Sequence, residues 1–141
     1  MIRPLSRHRT ALLAALALCG AARADGVTIM EIQGPGAQSP LAGRWVTTEG
    51  IVTLCTRGWR RCWIQDAEGD GDAATSDGLA LELGRGRRWR LRPGDRIRVR
   101  GQVRERRFGA ALPHTSLDPV RTIDILGRGQ RLPAAQRLRS L

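Results

Sequence analysis

Residues Arg96–Arg106 alternate so regularly that few conformations suit them. Ile97, Val99, Gly101 and Val103 fall on one side, and Arg96, Arg98, Arg100, Arg104 and Arg106 on the other. A period of two belongs to a β-strand with one face dry and one wet. A glycine inside such a strand marks a bulge or sharp bend. The stretch 43–55 repeats the pattern. Val46, Thr48, Gly50, Val52 and Leu54 form one set, Trp45, Thr47, Glu49, Ile51 and Thr53 the other, and Gly50 again sits mid-strand. Two long strands, each with a bend, point to a sheet that curls and closes on itself.

Shorter strands are expected at 27–32, 61–65, 78–84 and 120–126. In the second of these Trp63 opposes Cys62 and Ile64; in the third Leu79, Leu81 and Leu83 share a side. In 85–92, Trp89 and Leu91 oppose Arg88, Arg90 and Arg92. Pro93-Gly94-Asp95 has turn chemistry, and the Gly/Pro/Ser-rich run to residue 40 is a connection. No stretch has the length and period of a long helix. The pattern predicts an all-β chain, a small five-stranded Greek-key barrel of the OB type. An immunoglobulin-like sandwich would need about seven strands.

Before this domain lie Arg3, Arg7 and Arg9, the apolar run 11–18, and Ala22-Arg23-Ala24. A basic start, a short apolar segment and an A-x-A site describe a Sec-type signal peptide cleaved after residue 24. The apolar run is shorter than the roughly 20 residues a membrane-spanning helix needs. The expected organisation is a signal peptide at 1–24, the barrel at 25–129, and a basic, unstructured tail at 130–141. Export places the protein in the periplasm or the medium. There, the two cysteines left after cleavage, Cys55 and Cys62, are expected to form a disulfide across a hairpin.

The whole chain has 24 basic residues and 13 acidic ones, a net +11. All four basic residues of the leader would leave with it and all the acids stay, so 20 minus 13 leaves +7. Such a balance favours anionic partners. OB folds grip single-stranded nucleic acid by pairing basic grooves with stacking aromatics. The candidates are Arg88, Arg90, Arg96, Arg98, Arg100, Arg104 and Arg106, with Trp59 and Trp63 for stacking. A simply soluble arginine face and core tryptophans are the plainer account of the same residues.

One loop runs against this charge. Between two strand-like flanks, residues 64–78 carry Asp66, Glu68, Asp70, Asp72 and Asp77. With Asp66 as position one, Glu68, Asp70, Gly71 and Asp77 fall at three, five, six and twelve. That is the spacing of a calcium-binding loop, in which alternate carboxylates wrap a hard cation and glycine permits the turn. The loop has two readings, a solvated Asp/Gly turn between strands and a site for a Ca2+ or Mg2+ ion. No catalytic set stands out. His114 has no evident partner and no base lies beside a nucleophile, so the chain is not expected to be an enzyme on its own.

Three stretches extend the argument beyond composition: EIQGPGAQSPLAGRWVTTEGIVT, WIQDAEGDGDAATSDGLAL and GDRIRVRGQVRERRFG. In this order they resemble the OB-fold domain that precedes the endonuclease/exonuclease/phosphatase-type catalytic domain of bacterial secreted nucleases. VRTIDILGRGQRLPAA resembles that domain's exit. The run from Gln65 through Gly78 is the most specific part. Ala67 and Ala73 stand where similar sequences often carry proline, and Cys62-Trp63 where paired phenylalanine is common. The resemblance implies an OB fold, export and a nucleic-acid context: an accessory module for single-stranded or extracellular DNA or RNA, working beside a separately encoded nuclease. Two other functions fit the same residues, a periplasmic OB module for a small or peptidic ligand and a truncated nuclease remnant.

Overall fold

The structure is a computed structural model that describes residues 26–72, 75–85, 89–107, 109 and 113–134. The expected signal peptide lies outside them, as do Arg88 and the end of the tail. The elements are a short helix α1 (Ile29–Gln33), β1 (Trp45–Cys55), a 3-10 turn (Arg57–Trp59), β2 (Arg61–Gln65), β3 (Gly78–Glu82), β4 (Arg96–Arg106) and β5 (His114–Gly127). The five strands form one sheet that closes into a ring in the order β1-β2-β3-β5-β4. Four ladders are antiparallel. β3 and β5 run parallel and meet through only Ala80↔Ser116 and Leu81↔Leu117.

The alternation in β4 is realised residue by residue. Ile97, Val99, Gly101 and Val103 are buried, and the arginines lie on the outer face. Inward residues of all five strands, with Ile29 and Ile32 from α1 and Leu91 from the connection before β4, make a single core. Both mid-strand glycines sit at close approaches. A Cβ on Gly101 would sit 2.9 Å from Leu117 Cβ, and one on Gly50 would sit 3.1 Å from Ile64 Cβ and Ile29 Cδ1. The ladder between β4 and β5 shifts register around Gly101, where the strands bend.

Three local expectations change. Residues 27–32 are not a strand. Val27 N donates to Thr47 O, and the chain then turns into α1. Thr28 caps that helix: its hydroxyl accepts from Glu31 N, while the Glu31 carboxylate accepts from Thr28 N. This reciprocal pair satisfies amides that a helix start otherwise leaves bare. Leu54, grouped by alternation with Val46 and Val52, which are buried, is itself 57 % exposed. The β1–β2 register slips between Val52 and Leu54, and one extra residue sends the next side chain to the other face. The segment 85–92 makes no ladder among its described residues, although Leu91 is buried and Arg90 exposed as the pattern suggested.

Two ties fasten the ends of the strands. Cys55 and Cys62 are register partners on β1 and β2 and form the expected disulfide. The Pro93-Gly94-Asp95 turn docks on β1 through Gly94 N to Val52 O and Val52 N to Asp95 O. Asp95, only 2 % exposed, accepts from Arg92 N and pairs with Arg128. Gln130 N donates to Gly94 O, so the chain just past β5 is held against this turn. A disulfide fits an oxidising compartment outside the cytoplasm, and no helix among the described residues is long and apolar enough to cross a membrane.

Candidate nucleic-acid interface and the acidic loop

The residues singled out for nucleic acid separate into two places. The first is the outer wall of β4. There the register sets Arg98 between Glu49 and Asp124, and Arg100 between Thr47 and Thr122. Most of this charge is already matched. Arg96 and Arg98 both pair with Glu49, at 2.9 and 2.7 Å. Arg106 pairs with Asp118, and Arg104 Nε donates to the Asp118 carbonyl at 3.2 Å. Burial raises the pKa of Glu49, but the hydrogen bonds and charges of Arg98 and Arg96 outweigh it and hold the carboxyl below its usual range. Only Arg100 of the five has neither an ion pair nor a side-chain hydrogen bond among the described residues.

The second place is the connection between β1 and β2. The disulfide closes its base, and Thr56 N and Trp59 N bond Arg61 O and Thr56 O within it. Trp59 is 42 % exposed, yet its indole Nε1 donates to Leu91 O at 2.9 Å. One edge of the ring is thus anchored beside Arg90. Arg57, Arg60 and Arg90 are exposed and have no carboxylate partner among the described residues. The pattern at 96–106 drew attention to the wall, where three of the five arginines are ion-paired; the three at this tip have no such pair among the described residues. Arg57 and Arg60 carried no periodicity that could mark them.

Trp63 lies half-buried on the outer face of β2, with the Arg61 guanidinium 5.8 Å from its ring centroid and Arg61 paired to Glu82. Its row continues through Ala80 to Ser116. Another exposed aromatic was not among the stacking candidates. Trp45 on β1 carries the Arg121 guanidinium 4.6 Å from its ring centroid.

The acidic loop leaves the other end of β2. Two of its carboxylates, Asp66 and Asp70, are turned to the loop's own donors. Asp66 Oδ1 accepts from Glu68 N and Gly69 N, at 3.0 and 2.9 Å. Asp70 accepts from Asp72 N and the Thr75 hydroxyl, at 2.8 and 2.9 Å. The Asp77 carboxylate lies against Gly69, where an added Cβ would come within 2.9 Å of Oδ2. No three Asp, Glu, His or Cys side chains among the described residues form a group that could hold a metal ion. The spacing along the chain resembles a calcium loop, but the fold does not bring the five carboxylates to one point.

Beside Trp63 is a cavity of about 400 Å3, between the loop after α1, the outer face of β3 and the start of β5. His114 lines it, half-buried. Fold and site together describe a disulfide-tied, five-stranded closed sheet with a basic, aromatic tip at one hairpin end. No family model, curated protein or solved structure matches the chain.

Proposed function

We propose that this protein is an exported OB-fold module that binds single-stranded nucleic acid weakly, at the β1–β2 tip and the adjoining outer face of β2, as an accessory to a nuclease. The fold assignment is supported by the strand order, with β4 returning to β1 and β3 parallel to β5. Ligand binding on the β2–β3 face and the first loop is the usual habit of that fold. Export is supported by the disulfide together with the leader-like first 24 residues.

One observation carries the nucleic-acid reading. An exposed indole is pinned by its edge among Arg57, Arg60 and Arg90, none of which has a carboxylate partner among the described residues. A pinned ring loses little freedom on stacking, and unmatched guanidinium groups draw in phosphate. The test is a titration of fluorescent oligodeoxythymidine across salt. Three arginines predict a log K against log salt slope of about −2. No binding at low salt would remove this reading in favour of a peptidic or small ligand. Repeating the series in EDTA and in calcium decides the ion: the turned carboxylates predict the same affinity in both.

A further inference from the structure

We infer that the cavity beside Trp63 accepts one unstacked nucleobase of a strand held at the tip, a proposal that rests on the nucleic-acid reading above. At about 400 Å3 it is at the small end of ligand pockets. Its chemistry differs from that of the rest of the surface. Among the described residues, none of its lining side chains is acidic or arginine, in a chain with 24 basic residues. A pocket without charge does not recognise phosphate. It offers instead a flat indole, Trp63, and neutral donors and acceptors from Gln33 and Ser76.

His114 lines the cavity with its half-buried ring, but its Nε2 is out of contact with solvent and makes no hydrogen bond, so other groups meet the edge of the base. Gln33 is held in place by its amide donating to Gly78 O. Aromatic face, neutral polar edge and modest volume together suit a base better than a sugar-phosphate. Arg61, on the tip side of the same indole, is already paired with Glu82, so the phosphates are left to the arginines of the tip. Towards the far end of β2 lies the acidic loop, which disfavours a continuing backbone. The base in the cavity is therefore the last one held.

Filling the cavity tests this. Gly36 lines it, has no left-handed φ, and an added Cβ would meet nothing nearer than 3.8 Å. Gly36→Phe therefore occupies the cavity from the loop side; Ala37→Trp, at an exposed lining position, is the second variant. Thermal melting confirms that each folds. The probes are uncharged thymidine and adenosine, followed by nuclear magnetic resonance at high salt, and the oligodeoxythymidine above. Wild type should bind one or both nucleosides with no salt dependence. Each variant should lose at least ten-fold of that affinity and weaken the oligonucleotide while keeping its salt slope. If the oligonucleotide binds but ignores both variants, the cavity proposal falls and the tip reading stands. If nucleosides bind and no oligonucleotide does, or if a neutral sugar binds in their place, the base-of-a-strand assignment is overturned.

Discussion

The two ends of β2 carry opposite charge and use it in opposite ways. At the end near Cys62, the loop from β1 exposes Trp59 with Arg57 and Arg60, and the fold leaves those arginines without carboxylate partners among the described residues. At the other end, about 14 Å along a five-residue strand, the acidic loop spends Asp66 and Asp70 on its own amides. The loop is shaped by its charges; the tip is shaped by a disulfide and an indole hydrogen bond, and its charges stay available. A residue type that looks functional in sequence can be structural in place, and the reverse holds for Arg57 and Arg60.

The comparison can be broken first at the tip. Cys55→Ser with Cys62→Ser releases the hairpin, and urea unfolding should show a loss of about 2–3 kcal/mol. Oligonucleotide affinity should fall with it, while Asp66→Ala leaves affinity unchanged. Next, Trp59→Ala should weaken oligonucleotide binding about ten-fold or more, the usual worth of one stacked base. Trp45→Ala, on the wall away from the tip, should bind as wild type; equal losses would move the interface off the tip.

Smaller effects sharpen the contrast. Asp66→Ala strips two backbone amides of their acceptor and should cost about 1 kcal/mol in urea unfolding. The triple change Arg57→Gln, Arg60→Gln and Arg90→Gln should leave stability alone and flatten the salt dependence. A stable Asp66→Ala protein would mean the acidic end is not shaped by its turns. Smallest is the wall. Glu49 titrates below its usual range when folded, so its ion pairs contribute stability above the ordinary carboxyl pKa of 4.5. That contribution fades as pH falls through the lower folded value. The pair is partly exposed, so the term stays below about 1 kcal/mol. Glu49→Gln should remove that part of the acid sensitivity, measured as unfolding midpoints at pH 7 and pH 3.

Much of the fold was legible where periodicity is local. The bounds of β2 and β4 and the register shift at Gly101 followed from alternation and glycine placement; at Gly50 the register runs on unbroken, and the slip in β1 comes between Val52 and Leu54. The helix was missed because Val27, Ile29 and Ile32 read as strand, although Thr28 and Glu31 already spelled a capping box. Five residues are too few for a helical period to show. β5 begins earlier than its apolar run because the ladder tolerates Pro119: Gly101 pairs with Val120 and Val103 with Leu117, so the proline sits where the register shifts. At the site, the arginine row of β4 was visible, but its partners Glu49 and Asp118 are distant in sequence. Charge matching over that distance has no local signature, so the wall looked freer than it is and the tip plainer.

The two residue pairs that join β3 to β5 carry a final consequence. Every other junction of the ring is a longer ladder, so transient breathing should start where there is least to unzip. Those amides of residues 80–81 and 116–117 that point across this seam, rather than to β2 or β4, belong to buried residues yet should trade their hydrogens for deuterium sooner than those shared by β1 and β4. The ring is then better pictured as a cuff with a clasp than as a rigid pipe, and the clasp lies directly beneath the wall of the Trp63 cavity.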